Sequence, residues 1–137
     1  MLHMTLLFLG NIPETRLENL RTAAARVTGA AFTLRFDRCA CWRHKRLAWA
    51  GCSEPPLPLL TLAGKLAERL GEEGLPIELR DFVAHVTLVR KARCVPLPEF
   101  EPFDWPVKDF VLVESKLLPQ GARYTLIGRW PLTLARD

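Results

Sequence analysis

Two of the three histidines in the chain stand in the same short frame. His3-Met4-Thr5-Leu6 opens the sequence, and His85-Val86-Thr87-Leu88 repeats the pattern 82 residues later. Thr supplies 9 and Leu 24 of the 137 residues, so two of three histidines would match this frame by accident about once in 2,500 such chains. Side chains alternate along a strand. His3 and Thr5 therefore share one face of their strand, as do His85 and Thr87 of theirs. Leu2, Met4 and Leu6, and Val86 and Leu88, are expected behind, anchoring each strand to a core. The chemistry this permits is in-line displacement at phosphorus. One imidazole takes a proton from the attacking oxygen and the other gives one to the leaving oxygen. A histidine ordinarily titrates near neutrality, so a neutral and a protonated ring can coexist. The threonine hydroxyls can donate hydrogen bonds to non-bridging phosphate oxygens. No carboxylate cluster accompanies either motif and no third ligand is evident, so neither a metal nor another cofactor is expected. His44 lacks the frame and reads as solvated surface.

These strands need elements to hold them. Leu2 to Leu9 reads as a buried strand that ends at Gly10-Asn11-Ile12-Pro13. Pro13-Glu14-Thr15 starts a helix, with Leu17, Leu20, Ala24 and Val27 on one apolar face and Gly29 as its stop. Phe32, Leu34 and Phe36 alternate with polar residues, predicting a half-buried strand. Residues 39–42 continue it or start its neighbour, and 47–52 form another strand across the basic turn Arg43-His44-Lys45-Arg46. After the proline-rich residues 53–58, Leu59, Leu62, Leu66 and Leu70 mark a second helix, closed by Gly71 or Gly74. A strand over 82–89 carries the second motif. Residues 92–106 hold four prolines and read as an irregular loop. The strands predicted over 107–117 and 123–130 flank Pro119-Gln120-Gly121 and make a hairpin. This order is not strict βαβα alternation, so it predicts an α+β fold with antiparallel sheets. The repeated motif, each copy with its own helix, predicts one bilobal domain over residues 1–137.

The bulk composition sets outer limits. Nearly half the residues are apolar and a quarter charged, which fits a globular chain able to bury a core. A net charge of +4 permits an anionic partner such as nucleic acid without specifying one. No apolar run approaches the roughly 20 residues of a membrane span, and no signal peptide is evident. Cys39, Cys41, Cys52 and Cys94 lack zinc-knuckle spacing and read as reduced, mostly buried thiols of a cytoplasmic protein.

The two motifs resemble those of the 2H phosphoesterase superfamily, and most closely its bacterial RNA 2′,3′-cyclic phosphodiesterase branch, also called the 2′-5′ RNA ligase family. The similarity spans essentially the whole chain. Residues 2–10, with their trailing Phe8-Leu9-Gly10, resemble the first family motif. Residues 82–90, ending in Arg90, resemble the second. Ser115, Gly121 and Tyr124, with Arg129-Trp130-Pro131-Leu132, resemble the C-terminal hairpin. The resemblance implies two antiparallel sheets flanking a central cleft, with a helix on the outer face of each lobe. It implies metal-independent opening of RNA 2′,3′-cyclic phosphate ends to 2′-phosphates, with ends such as those of tRNA fragments, or small cyclic nucleotides, as partners. By that analogy His3 protonates the leaving 3′ oxygen, His85 activates water, and Thr5 and Thr87 hold the phosphate. Arg90 adds a cationic contact, and Phe8 is placed to meet a base or sugar.

Three departures accompany the resemblance. Ala84 stands where the family usually has Pro, and Leu7 stands where a basic residue is common. The family normally places a strand and a helix before the first motif, so Met1 is expected to be an internal start or to follow a lost upstream segment. Two other functions fit the same residues. One is 2′-5′ RNA ligation, with a ribose hydroxyl replacing water. The other is an RNA-end-binding module without turnover, which would bind RNA in a salt-dependent way even after both histidines are replaced.

Overall fold

The computed structural model describes residues 2–77, 82–94 and 99–134. The first motif does not form a regular strand. Met4 and Phe8 make isolated bridges, and the chain bends at Leu6 between them. The bend sends successive apolar side chains into different cores: Met4 and Leu6 into one, Leu6 and Leu7 into a second, Leu7 and Leu9 into a third. A straight strand would have committed alternate residues to a single face. Leu2, expected behind the motif, is 66% exposed.

A 3-10 turn at Glu14–Arg16 leads into α1 (Leu17–Ala25). Its buried residues are Leu20, Ala23 and Ala24, with Val27 buried just beyond its end. The helix stops four residues before Gly29. Strands β1 (Phe32–Phe36), β2 (Arg38–Trp42) and β3 (Leu47–Gly51) follow. Between β1 and β2, the Asp37 carboxylate accepts hydrogen bonds from the Ser53 amide and hydroxyl at 2.8 and 2.6 Å. These bonds hold its pKa below the usual carboxylate range. Helix α2 (Leu57–Glu72) starts with proline in its first turn and buries Leu59, Leu62, Leu66 and Leu70, the predicted stripe. It is followed by Gly74 at φ +70°, a conformation that suits glycine after a helix end.

Strand β4 is His85–Arg90 and carries the second motif. Part of the proline-rich stretch forms β5 (Phe103–Val107), which pairs with β1, where an irregular loop was expected. Pro106 stands opposite Thr33. Proline is tolerated here because β5 has β1 as its only ladder partner among the described residues, so its missing N–H can face away from the ladder. Residues 95–98, also part of the predicted loop, lie outside the described residues. Strands β6 (Asp109–Leu118) and β7 (Gly121–Pro131) form the predicted hairpin, with Gly121 at φ +129° in the turn.

The fold is α+β with antiparallel strand pairs throughout its ladders. Among the described residues, hydrogen bonding groups the strands as β1-β5, β2-β3-β4 and β6-β7, three ladders where the resemblance implied two sheets. The helices also touch each other: Ala24 of α1, and Val27 just past its end, join Leu62 and Leu66 of α2 in one apolar cluster. A second cluster joins Leu34 and Phe36 of β1, Ala50 of β3, Leu59 of α2 and Val86 of β4. Each fully buried large aliphatic side chain contributes about 1.5–3 kcal/mol by leaving water. This cluster therefore fixes the back of the strand that carries His85.

The cysteines depart from the expected four thiols. Cys41 and Cys94 form a disulfide with a Cα–Cα distance of 5.5 Å, while Cys39 and Cys52 are free. The ladder explains the pairing. Cys41 lies next to Trp42 at the end of β2, and β3 and β4 carry the chain back past that end, four residues before Cys94. Burial, with Asp37 nearby, pushes the pKa of the free Cys52 thiol up, which leaves less of it as the nucleophilic thiolate. Thiol titration of unfolded protein purified without reductant is expected to count two thiols per chain, rising to four after reduction. A count of four before reduction would show the pair to be open.

Candidate functional site

The two motifs meet through one antiparallel bridge, Met4 to Val86. Its register sets His3 opposite Thr87 and Thr5 opposite His85. The bridging residues turn into the core, where Val86 is buried and Met4 packs beside it. The four chemical side chains take the other face, and all four are half-buried. Directly opposed side chains in such a pair start roughly 4.5–5.5 Å apart at Cβ, and diagonal ones roughly 7–8 Å. The two hydroxyls thus stand beside the imidazole of the other motif. The imidazoles occupy opposite corners of this register.

His85 is oriented by its own strand entry. Its Nδ1 lies 2.8 Å from the carbonyl oxygen of Val83. With the Nδ1 proton donated to that oxygen, the neutral ring carries its lone pair on Nε2. Two tryptophans hold the ring from the side. Trp42 meets it edge-on with centroids 4.8 Å apart, Trp49 does so at 6.5 Å, and the two indoles pack on each other at 5.1 Å. His3 has a different neighbour, the Tyr124 ring of β7, at 5.4 Å. Sequence reasoning placed Tyr124 in the terminal hairpin without connecting it to His3, and it gave Trp42 and Trp49 no part in the site. Their placement, Trp42 directly before the basic turn and Trp49 three residues after it, was the available signal.

Gly51 stands opposite His85 across the β3–β4 ladder. A Cβ there would lie 2.7 Å from the Trp49 ring and 2.9 Å from the Ala84 carbonyl oxygen. Glycine is required because an indole and a neighbouring backbone share the space that a side chain would fill.

Arg90 reaches the site face only through an irregularity. Thr87 and Arg90 are three residues apart, so in a regular strand they would point to opposite faces. The register shifts between Ala48 and Trp49: Trp49 pairs with Thr87, Ala48 with Val89 and Leu47 with Arg90. Leu88 is the extra residue of this bulge. The shift turns Arg90 to the face of Thr87 and His85, the kind of re-aiming that bulges perform beside functional sites. It also leaves Leu88, expected behind the motif, 43% exposed. Phe8 is 46% exposed and belongs to none of the three apolar clusters, so it is not a core residue.

The terminal hairpin is fastened across the molecule by a second bulge. The β6–β7 register shifts at Leu112 and Val113, which skips Ile127. The Ile127 carbonyl accepts a hydrogen bond from Arg21 Nε of α1 at 3.1 Å. This contact ties β7, and with it Tyr124, to the helical layer. No group of three or more His, Cys, Asp or Glu among the described residues is placed to hold a metal ion.

Comparison with known proteins identifies the family. The family model for the 2′-5′ RNA ligase superfamily matches residues 1–116. The RNA 2′,3′-cyclic phosphodiesterase of Escherichia coli K12 is 34% identical over 135 residues, covering 96% of this chain and 76% of that protein. The protein of the same name from Thermus thermophilus is 34% identical over 144 residues, covering 96% and 72%. Among solved structures, a phosphoesterase superposes with a TM-score of 0.88 at 34% identity, covering 96% of this chain and 77% of its own. Escherichia coli LigT complexed with 3′-AMP superposes with a TM-score of 0.87 at 33% identity, with the same coverage. A paired set of His-x-Thr frames on one face, a matching fold and this extent of sequence identity place the chain in the 2′-5′ RNA ligase superfamily of two-histidine phosphoesterases.

Proposed function

We propose that this protein is an RNA 2′,3′-cyclic phosphodiesterase that opens the cyclic end to a 2′-phosphate. The observation that carries the reading is the Met4–Val86 bridge, whose register turns two imidazoles and two hydroxyls to one face. In the reaction His85 Nε2 takes a proton from water as the water oxygen bonds to phosphorus. The bond from phosphorus to the 3′ oxygen breaks, and His3 delivers a proton to that oxygen. One proton is taken up at His85 and one released from His3, so exchange with solvent resets both rings. Thr5 and Thr87 donate hydrogen bonds to the non-bridging oxygens, Arg90 balances the charge that builds on them, and Phe8 meets the base or sugar. The names of the Escherichia coli and Thermus relatives support the reaction type. Each acid–base role is typically worth 10²–10⁴-fold.

The whole chain acts as one bilobal unit in this reading. Its substrates are RNA ends such as those of tRNA fragments, or small cyclic nucleotides, and its place is the cytoplasm. Among the described residues no helix is long and apolar enough to cross a membrane. The glutathione pool of such a compartment would hold Cys41 and Cys94 as thiols. Ligation is the second reading, favoured by the family description: a ribose 5′ hydroxyl replaces water at the same site and forms a 2′-5′ linkage.

The test incubates the protein with a 2′,3′-cyclic nucleotide in excess chelator and follows the product by phosphorus NMR. A 2′-phosphate is expected. A 3′-phosphate would reverse which oxygen leaves, and complete absence of product would favour a binding module without turnover.

A further inference from the structure

One end of the central sheet is strongly basic. Residues 38–50 and 82–94 contain seven of the 19 lysines and arginines and none of the 15 acids. These cations are Arg38, Arg43, Lys45, Arg46, Arg90, Lys91 and Arg93, and all seven are exposed; Arg38 stands opposite Gly51 at the other end of β2, and the remaining six cluster at the turn end. The whole chain carries +4, so everything outside these two segments sums to −3. The positive charge of the protein is therefore local, and it lies on the sheet that carries His85.

The fold gathers these residues and fixes them. Leu47 pairs with Arg90 at the end of the β3–β4 ladder. The Ala92 amide donates to the Arg46 carbonyl at 2.8 Å, and the Cys41–Cys94 disulfide closes the same corner. Arg46 and Lys91 adopt left-handed backbone conformations, at φ +50° and +56°. Glycine or asparagine would hold such positions more easily. Long cations occupy both instead, in backbone that carries local strain, a pattern that concentrates at binding sites.

This basic corner adjoins His85. Trp42, at the base of the turn, packs against His85, and Lys45 Nζ lies 5.2 Å above the Trp42 ring. The bulge turns Arg90 to the face of His85. From His85 to Arg90 the strand runs about 17 Å at the usual rise. The long Arg90 side chain can turn back over part of that distance, whereas Lys91 and Arg93 follow it in the chain and lead away from His85, beyond the span of one nucleoside from its own 3′ phosphate.

We infer that the β2–β3 turn and the end of β4 form a track for the RNA strand on the 5′ side of the reacting end, so that the favoured substrate is an oligoribonucleotide and not a free cyclic nucleotide. The inference rests on the phosphodiesterase reading for the orientation of that strand. Its arginines and lysines pair with successive phosphates, which gives binding that is insensitive to base sequence and sensitive to salt. The β3–β4 ladder and the Ala92–Arg46 hydrogen bond hold the track in the geometry that the strand meets, which lowers the ordering cost of binding.

The test compares wild type with the double variant Arg43→Gln/Arg93→Gln, two exposed positions outside both motifs. Anisotropy measures binding of a labelled single-stranded 12-mer RNA across a salt series, and turnover is measured on a 2′,3′-cyclic mononucleotide. The variant is expected to bind the 12-mer about tenfold more weakly. Its slope of log affinity against log salt should shrink by about 1.4, the loss of two single-strand phosphate contacts, with mononucleotide turnover unchanged. Unchanged RNA binding and slope would overturn the track. Equal loss on the mononucleotide would overturn it too, by assigning the effect to the cleft. Displacement of the RNA by phosphatidylserine vesicles at equal charge would assign the corner to a membrane surface instead. If wild type turns over no cyclic phosphate, the phosphodiesterase reading fails while RNA binding still decides the track.

Discussion

His85→Asn is expected to lower kcat/KM on a 2′,3′-cyclic phosphate by about 10²–10⁴-fold while leaving the fold in place. Asparagine can still donate an N–H toward the Val83 carbonyl that Nδ1 of His85 now meets at 2.8 Å, but it cannot accept a proton from water. His3→Ala should cost a similar factor by removing the proton donor. The double variant should fall no further than a small factor below the worse single one, because groups that act as a unit are not additive. The pH profile separates the two roles. Wild type should show a bell: activity falls at low pH as the base becomes protonated, and at high pH as the donor loses its proton. The residual activity of His85→Asn should lack the low-pH limb, and that of His3→Ala the high-pH limb. Exchanged limbs would reverse the assignment of donor and base. A loss below threefold in either variant would remove the two-histidine mechanism.

Gly51→Ala is expected to destabilise the protein by about 1–3 kcal/mol and to reduce turnover by at least tenfold. Gly51 has no positive φ that would demand glycine; space demands it. The new methyl would press on the Trp49 ring and on the Ala84 carbonyl. Trp49 is 7% exposed and packs against Trp42, so it has little freedom to yield. The remaining response is a shift of β4 at Ala84 and His85. A misplacement near 1 Å at a reacting group costs on the order of 10²-fold. Gly64→Ala is the control. Gly64 lies in α2 with nothing within 4 Å of the added methyl, so this change should stabilise the helix by about 0.5–1 kcal/mol and leave turnover alone. Wild-type turnover and melting in Gly51→Ala would show that the packing around His85 has slack.

Much of the helical layer was legible because its signals are local. The leucine stripe of α2 repeats at helical spacing and becomes a buried face, and the Pro-Gln-Gly turn becomes the tip of the β6–β7 hairpin. The first motif was misread as a regular strand for a physical reason. Leu2-to-Leu9 is apolar enough for one, yet its residues serve three separate clusters, and only a bend lets one short segment reach all of them. Strand β5 was missed because proline argues against a strand in general, while its position in a single ladder removes the objection.

The sequence by itself determined which groups could do the chemistry. A repeated His-x-Thr frame supplies two imidazoles and two hydroxyls, and the alternation of strand side chains puts each pair on one face. Only the tertiary structure decided what surrounds them. An antiparallel bridge set each hydroxyl beside the other motif's imidazole. A one-residue bulge brought Arg90 to the face that regular alternation would have denied it. Tyr124 came to His3, and two tryptophans came to His85. Periodicity is a property of neighbours in the chain, so it can be read along it. Register, bulges and ring contacts are settled between segments tens of residues apart, where packing decides which alignment is best filled.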